Sequence, residues 1–182
     1  MIPNHAEIKY SREFLRVYEW KQVLFDESTT TFEVAVRKAS VQVFVMHNNK
    51  LVYVQEEQPH KGDYLGIVGG MLNEWDEDPQ EAAAREVEEE TGFVGETKFL
   101  FTDSREGGFV NWQTHYYVLY VNGLGNKCLD AGERVEVQEI PIDDLLSLVR
   151  DKQFRNQDLR VILENKIQDG TYKEFISQLL RA

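Results

Sequence analysis

The amino-acid sequence predicts an α/β fold, and three observations support this prediction. Two pairs of apolar segments with a period of two residues lie near the N-terminus, and a short polar turn separates the members of each pair. A central segment, residues 69–93, contains the residues that begin and end a helix. The chain closes with segments of helical periodicity, and its 182 residues suffice to bury a sizeable core.

Strands and helices are expected to follow one another along the chain, which is typical of α/β proteins. The first two strands form an N-terminal hairpin around the turn DEST, and the next two form a second hairpin around the turn HNN. A glycine-containing loop, SREGGFVNWQ, joins two later strands. The strands are expected at residues 14–25, 31–38, 41–46, 51–55, 98–102, 114–121 and 135–140, and the closing helices at residues 143–150, 159–167 and 172–180.

The central segment, GGMLNEWDEDPQEAAAREVEEETGF, predicts a helix with a defined start and end. Asp78 can cap the N-terminus, Pro79 suits the first helical position, and Glu81 lies three residues after the cap. Gly92 supplies the left-handed residue that commonly ends a helix. We therefore expect a helix that begins at Pro79 and ends just before Gly92.

Three carboxylates lie on one face of this predicted helix. At about 100° per residue, Glu86, Glu89 and Glu90 fall within an arc of about 100°, whereas Glu88 points the other way. Neighbouring like charges repel by roughly 0.2–0.5 kcal/mol per pair, so a bound cation would account for the arrangement. Oxygen-only ligands select Mg²⁺ or Mn²⁺ over zinc. The structural alternative is a solvated acidic face.

The same segment resembles the Nudix box, whose pattern is G-x5-E-x7-R-E-U-x-E-E-x-G-U, where U is a bulky apolar residue. Glu77, the Arg85-Glu86 pair and the run that ends at Phe93 fit this pattern position by position. The one departure is a longer loop, because six residues instead of five separate Gly70 from Glu77. The resemblance implies a Nudix α/β/α sandwich with a mixed sheet, preceded by an N-terminal antiparallel β-hairpin, and a hydrolase that cleaves a P–O–P bond.

The resemblance also implies a set of metal ligands. Glu86 and Glu90 match the principal ligands, and Glu89 matches a further ligand or a residue that holds metal-bound water. The main-chain carbonyl of Gly69 matches the position where the family adds a backbone ligand. The implied cofactor is Mg²⁺, for which Mn²⁺ can substitute.

Other catalytic residues follow from the same resemblance. Arg85 is expected to pair with Glu77 and thereby to orient the carboxylates. Glu133 matches a loop glutamate that serves in the family as general base or as a further metal contact. Glu136 and Asp130 are alternatives for that role, and Glu133 could instead be a plain surface acid.

Beyond the box, the order of elements resembles the ADP-ribose and nucleoside diphosphate sugar pyrophosphatases. The matching parts are the N-terminal hairpin, the GGF loop after the box, the segment GERVEVQEIPIDDLLSLVRDKQF and the terminal helix. The implied substrates are nucleoside diphosphate sugars of the ADP-ribose, ADP-glucose and GDP-mannose type, cleaved to a nucleoside monophosphate and a sugar phosphate. Residues 39–182 are expected to form the Nudix hydrolase domain.

In that subfamily, aromatic residues of the N-terminal hairpins hold the base, often across a dimer. The resemblance places Phe14, Phe32 and Arg37 in this role, and Trp20 is a further candidate. Aromatic faces stack on any base, although core packing is the alternative role for each ring. Residues 1–38 are therefore expected to be a dimerisation and base-binding element, and the protein a homodimer.

Two departures from the subfamily limit the substrate prediction. The Q-x-R element before the box is replaced by Gln55-Glu56-Glu57-Gln58, and Glu-Leu-Pro-Ala-Gly at the start of the box is replaced by Gly66-Ile67-Val68-Gly69-Gly70. The arginine and the glutamate of those elements are missing, so ADP-ribose is not implied as the sole substrate. The alternatives are a Nudix hydrolase of nucleoside triphosphates, dinucleoside polyphosphates or an RNA cap, and a non-catalytic nucleotide-binding regulatory domain.

Composition and charge limit the classes of partner. The formal net charge is −12, and the sequence has no evident basic stripe that would bind a nucleic-acid backbone. A small diphosphate that arrives with Mg²⁺ is compatible with this charge, because the metal offsets the repulsion. No apolar run reaches the roughly 20 residues that span a bilayer, and no secretory signal is evident, so we expect no membrane partner and a cytoplasmic location. The single cysteine, Cys128, excludes an intrachain disulfide and is expected to be partly buried.

Overall fold

The computed structural model of the protein describes residues 2–59, 62–129 and 131–180, so Asp130 lies outside the described residues. These residues form a mixed sheet with helices on both faces. The strands are β1 (Glu7–Ser11), β2 (Leu15–Val23), β3 (Thr29–Arg37), β4 (Ser40–His47), β5 (Lys50–Gln58), β6 (Gly62–Gly66), β7 (Phe93–Arg105), β8 (Val110–Leu124) and β9 (Arg134–Pro141). The helices are α1 (Pro79–Thr91), α2 (Leu145–Arg150), α3 (Gln157–Gln168) and α4 (Tyr172–Leu179), and a 3-10 turn at Ile142–Asp144 precedes α2.

The strands form one sheet in the order β1-β2-β3-β8-β4-β5-β6, with β7 also paired to β8 and β9 to β5. Strand β8 runs parallel to both β3 and β4, and the remaining pairs are antiparallel. The predicted N-terminal hairpin is present as β2 and β3. It joins the rest of the sheet through the pairs Ala35–Val110 and Val36–Asn111.

Two hydrophobic cores lie on opposite faces of the sheet. Alternate residues of β4 supply both, because successive side chains of a strand point to opposite faces. Val41, Val43 and Val45 pack in one core with the apolar side of α1. Phe44 and Met46 pack in the other core with the closing helices α2, α3 and α4. The predicted α/β/α sandwich is therefore confirmed.

Helix α1 begins and ends as the sequence predicts. The Asp78 side chain accepts hydrogen bonds from the backbone N–H groups of Gln80 at 2.7 Å and Glu81 at 3.4 Å. Gly92 ends the helix with a φ of 76°, a conformation that costs glycine little. Ala82 and Ala83 are fully buried, and their small side chains let the helix axis approach the sheet closely. The helix is thus fixed at both ends and along one face.

Several elements differ from the prediction. Strand β1 was not expected; its alternation of Ile8 and Tyr10 with polar residues is short, and all five of its residues are exposed. Strand β6 was not expected either, because its sequence, GDYLG, is glycine-rich and its order comes from pairing with β5. Strands β7 and β8 extend toward each other as far as the pair Arg105–Trp112, so the connecting loop is shorter than predicted.

Two simpler expectations have clear outcomes. Cys128 is exposed rather than partly buried. Among the residues described, no helix is both long enough and apolar enough to cross a membrane.

Candidate active site

Arg85, at the edge of the buried face of α1, holds three carboxylates of the box. Its Nε lies 3.1 Å from Glu77 Oε1, so the expected Arg85–Glu77 pair is present. Its Nη1 lies 2.8 Å from Glu86 Oε1 and 2.9 Å from Glu89 Oε2. Glu77 also accepts a hydrogen bond from the backbone N–H of Asn73. The guanidinium group therefore fixes the first turns of α1 to the loop that precedes it.

Glu86 and Glu90 project from α1 toward the glycine pair. The Glu86 carboxylate lies so close to Gly70 that a Cβ at residue 70 would be 2.5 Å from its atoms. Glu90 is only 8% exposed and accepts a hydrogen bond from the backbone N–H of Gly69. Its Oε2 is buried and has no hydrogen-bond partner within the described part of the chain. A buried carboxylate oxygen without a donor is costly unless a cation binds it.

The electrostatics of these two carboxylates agree with their positions. Burial raises the pKa of Glu86 to about 7, despite the opposing charge of Arg85. Burial also raises the pKa of Glu90 well above its usual range, and the negative charges of Glu86, Glu56 and Glu133 add to the effect. Such shifts mark a site where several acids share one low-dielectric region.

Glu133 and Glu56 complete the acidic cluster. Gln58 bridges them, because its Nε2 donates to Glu133 Oε1 at 2.8 Å and also to Glu56 Oε1. The structure thus brings Glu133 to the box carboxylates. Of its two alternatives, Glu136 pairs with Gln55 across β5 and β9, while Glu56 pairs with Val135, so Glu136 lies on the other face of the sheet.

The sequence analysis did not identify Glu56 as a site residue, although a signal was present. Strand β5 places Val52, Val54 and Glu56 on one face, and this face packs under α1. Glu56 follows Val52 and Val54 on this face and is only 8% exposed. A carboxylate at a core position within reach of the box helix indicates a functional group rather than a solvated one.

The oxygen donors of these side chains suit a hard divalent cation. Within the described ranges, no three His, Cys, Asp or Glu side chains converge on one point at metal-binding distance. Arg85 Nη1 contacts both Glu86 and Glu89, and the Glu89 side chain is 41% exposed. Half-buried Glu86 and buried Glu90 contribute carboxylate oxygens here, and Glu90 Oε2 is the one without a hydrogen-bond partner among the described residues.

The N-terminal hairpin presents an aromatic face next to the loop that precedes α1. Trp20 and Phe32 are opposite each other in β2 and β3, with ring centroids 5.8 Å apart. Four residues before Trp20, on the same face of β2, the Arg16 guanidinium lies 4.0 Å from the centre of the Trp75 ring. Phe14 lies near the end of this face, 5.9 Å from the Lys38 ammonium.

Arg37 lies on the opposite face of the hairpin. It pairs with Leu15, whereas Arg16 pairs with Val36, and opposed residues in antiparallel strands share a face. The Arg37 guanidinium lies 5.7 Å from the Trp112 ring instead. The arginine that accompanies the aromatic residues is therefore Arg16, which the period-two alternation of β2 could have indicated.

Comparison with known proteins identifies the family. The NUDIX domain matches residues 36–163, well over half of the chain. The chain belongs to the NUDIX family. With the charged residues of the box all present, it is a Nudix pyrophosphohydrolase, as the resemblance implied.

Individual relatives agree with this assignment. The methanol dehydrogenase activator of Bacillus methanolicus is 33% identical over 133 residues, which cover 69% of this chain and 70% of the relative. The ADP-sugar pyrophosphatase of Mus musculus is 34% identical over 111 residues, covering 56% of this chain and 50% of the relative. The GDP-mannose pyrophosphatase of Klebsiella pneumoniae is 25% identical over 137 residues, which cover 69% of this chain and 68% of the relative.

A solved structure shares the fold. The crystal structure of an ADP compounds hydrolase superposes with a TM-score of 0.65, covers 92% of this chain and 95% of its own, and is 19% identical in sequence. The similarity supports the α/β/α sandwich and the presence of strands before the Nudix domain.

Proposed function

We propose that this Nudix pyrophosphohydrolase cleaves the pyrophosphate bond of nucleoside diphosphate sugars of the ADP-ribose, ADP-glucose and GDP-mannose type. The products are a nucleoside monophosphate and a sugar phosphate. The observation that carries the proposal is the cluster of Glu56, Glu86, Glu90 and Glu133, in which Glu56 and Glu90 are buried, together with an aromatic hairpin that contacts the loop before α1. The relatives named ADP-sugar pyrophosphatase and GDP-mannose pyrophosphatase support sugar-linked diphosphates as the substrate class.

The carboxylates have separate roles in this proposal. Glu86 and Glu90, with the Gly69 carbonyl, hold Mg²⁺, and Mn²⁺ can substitute for it. The bound cation would neutralise negative charge on the diphosphate. Arg85 keeps Glu86 in place through the 2.8 Å contact, so the ligand is positioned before substrate arrives.

Glu133 is the proposed general base. It lies near enough to Glu86 and Glu90 for its charge to add to the effect of burial on the pKa of both, and Gln58 holds its Oε1 at 2.8 Å. A carboxylate in this position accepts a proton from the water that attacks phosphorus. Glu89 is 41% exposed and borders the same space, where it can orient that water.

Residues 1–38 form the proposed base-binding and dimerisation element. Trp20, Phe32 and Phe14 supply ring faces to the base, and Arg37 lies on the other face of the hairpin. Large apolar side chains on these strands are exposed, with Ile8 at 50%, Tyr10 at 48% and Phe32 at 43%. A second copy of the chain would cover such a surface, and the aromatic groups would then stack on the base from both copies.

The direct test is a substrate panel with resolved products. Purified protein with Mg²⁺ is expected to convert ADP-ribose, ADP-glucose or GDP-mannose to a nucleoside monophosphate and a sugar phosphate, as separated by chromatography. Glu90→Gln should lower turnover at least about 100-fold, because it removes a placed catalytic group. The matched control is Glu81→Gln, an exposed acid in the first turn of the same helix, which should retain wild-type turnover.

Two results would refute the proposal. The first is a wild-type protein that leaves all sugar nucleotides intact while hydrolysing nucleoside triphosphates or dinucleoside polyphosphates. The second is a Glu90→Gln variant with near-native turnover, which would remove Glu90 from the reaction.

A further inference from the structure

A second charged cluster, of opposite sign, lies at the edge of the acidic site. Arg37, Arg105 and Arg155 come from three separate elements; Arg37 and Arg105 meet at the Trp112 ring, and the charge of Arg155 acts on Arg37. The guanidinium groups of Arg37 and Arg105 lie 5.7 and 5.8 Å from the Trp112 ring. Only Arg105 has a carboxylate partner among the described residues, with its Nη2 2.7 Å from Asp158 Oδ1. In a chain of net charge −12, such a basic cluster is unusual.

Arg37 and Arg155 are the members of this cluster without a carboxylate partner in the described part of the chain. Arg37 has a buried Nε with no hydrogen-bond partner in the same ranges, and its Nη2 donates only a long bond of 3.3 Å to Ser40. Burial lowers the pKa of Arg37; Asp158 opposes this effect and the positive charge of Arg155 adds to it. Asp158 is the acid whose charge acts on Arg37, and an anion bound by Arg155 would add to this compensation.

Arg155 is anchored to the strand that borders the acidic cluster. Its backbone N–H donates to the Leu65 carbonyl at 2.9 Å, which fixes the residue beside β6. Its Nη1 donates to the Tyr64 hydroxyl at 2.6 Å, and its guanidinium lies 4.6 Å from the centre of the Tyr64 ring. Most of the guanidinium donors are left for another ligand, since a guanidinium carries five N–H groups.

Tyr64 connects Arg155 to the proposed metal site. Tyr64 and Glu56 are opposite each other in β6 and β5, so their side chains share a face of the sheet. Burial and then the hydrogen bond to the Glu56 carboxylate raise the pKa of Tyr64. The negative charge of Glu56 in turn raises the pKa of Glu90. The basic and acidic clusters are therefore adjacent rather than separate features.

A recess lies over Gly66, beside Tyr64. Gly66 follows Tyr64 by two residues on the same face and is paired with Val54. Although Gly66 is buried, no heavy atom lies within 4 Å of the position that a Cβ would take. The missing side chain leaves open space beside Tyr64, where a substrate group can approach the backbone.

We propose that Arg155 forms the phosphate-binding part of the substrate site and that the recess over Gly66 admits a phosphate of the diphosphate. This inference rests on the proposed function and extends it to the residues that bind the anion. Guanidinium groups bind phosphate oxygens through paired, charge-assisted hydrogen bonds. Gln55-Glu56-Glu57-Gln58, on the strand before the box, contain no arginine, so the arginine proposed here comes from another part of the fold.

The test compares binding of two probes to four proteins. The probes are α,β-methylene ADP-ribose, which keeps the phosphates but resists hydrolysis, and adenosine, which has none. The proteins are wild type, Arg155→Ala, Arg155→Lys and the control Arg160→Ala, an arginine on α3 without an ion pair among the described residues. Titration calorimetry with Mg²⁺ should give a roughly 10- to 100-fold higher Kd of the analogue for Arg155→Ala, the range expected for one charge-assisted contact.

The remaining proteins and the second probe make the result specific. Adenosine should bind all four proteins alike, Arg160→Ala should match wild type, and Arg155→Lys should recover part of the loss because it restores the charge without the planar fork. Equal analogue affinity for Arg155→Ala and wild type would overturn the proposal, as would a wild type that does not bind the analogue. If wild type binds the analogue through Arg155 yet hydrolyses no sugar nucleotide, the proposed function fails and the phosphate site stands.

Discussion

The substitution Glu86→Gln is expected to stabilise the metal-free protein while abolishing its stabilisation by Mg²⁺. The pKa of Glu86 is raised to about 7 from its ordinary 4.5, chiefly by burial. Each pKa unit corresponds to about 1.4 kcal/mol, so ionising Glu86 in the folded, metal-free protein costs at most about 3 kcal/mol above pH 7. Glutamine has the same shape, can still accept the hydrogen bond from Arg85, and carries no charge.

The sign of this effect depends on pH. A carboxyl group whose pKa is raised by folding adds stability that is fully present below about pH 4.5 and is lost as the pH rises through about 7. The advantage of Glu86→Gln should therefore be absent at pH 4 and largest at pH 8. For a chain of this size, about 3 kcal/mol corresponds to a rise in Tm of roughly 6–12 °C.

Thermal unfolding in EDTA and in Mg²⁺ measures both parts of this prediction. In EDTA at pH 8, Glu86→Gln should melt higher than wild type, and Glu81→Gln, which changes an exposed acid of the same helix, should melt with wild type. Mg²⁺ should raise the Tm of wild type, because it binds only the folded cluster, and should raise that of Glu86→Gln far less. A Glu86→Gln variant that melts below wild type in EDTA would refute the reasoning. So would a variant whose Tm rises with Mg²⁺ as much as that of wild type.

Further predictions concern the glycine pair and the N-terminal hairpin. Gly70→Ala should lower turnover at least about 10-fold, because its Cβ would displace the Glu86 carboxylate, whereas Gly108→Ala in an exposed loop should be neutral; equal turnover of the two would contradict the placement of Glu86. Trp20→Ala should raise KM about 10-fold with little change in kcat, since stacking on a base contributes about 1–3 kcal/mol; an unchanged KM would exclude Trp20 from the base site. Replacing both Ile8 and Tyr10 with Glu should convert a dimer to a monomer in sedimentation velocity, and a monomeric wild type would contradict the proposed dimer.

Local signals in the sequence were sufficient for the box helix. Both ends of α1 could be predicted from the sequence, because the capping effects of Asp78, Pro79 and Gly92 involve only residues a few positions away. The spacing of Glu86 and Glu90 likewise follows from helical geometry alone. Sequence analysis predicted well the features that depend only on residues close together in the chain.

Features that depend on pairing between distant segments were missed. Strand β6 is ordered by β5, and Glu56 becomes part of the site only because β5, β9 and α1 meet there. Arg155 reaches Tyr64 from a loop that lies 91 residues further along the chain. The sequences around β6, Glu56 and Arg155 give little indication of these contacts, because the contacts are set by the topology of the sheet rather than by neighbouring residues.

The faces of the hairpin show how a correct element can still lead to an incorrect grouping. Strands β2 and β3 were predicted, but their alternation was not applied: Arg37 lies five positions after Phe32 on β3 and so faces the other side, whereas Arg16 lies four positions before Trp20 on β2 and shares its face. A shift of one residue moves a side chain to the other face. Arg37 therefore lies with Trp112 and the basic cluster instead of with Trp20 and Phe32.

The most direct test of the account is to locate the metal. Crystals grown with Mn²⁺ and α,β-methylene ADP-ribose would give an anomalous signal at the ion. The account predicts a peak at about 2.0–2.3 Å from carboxylate oxygens of both Glu86 and Glu90, with the Arg155 guanidinium in contact with a phosphate oxygen of the analogue. A bound analogue with no ion between these two glutamates would contradict the central claim that the buried carboxylates of α1 hold the catalytic cation.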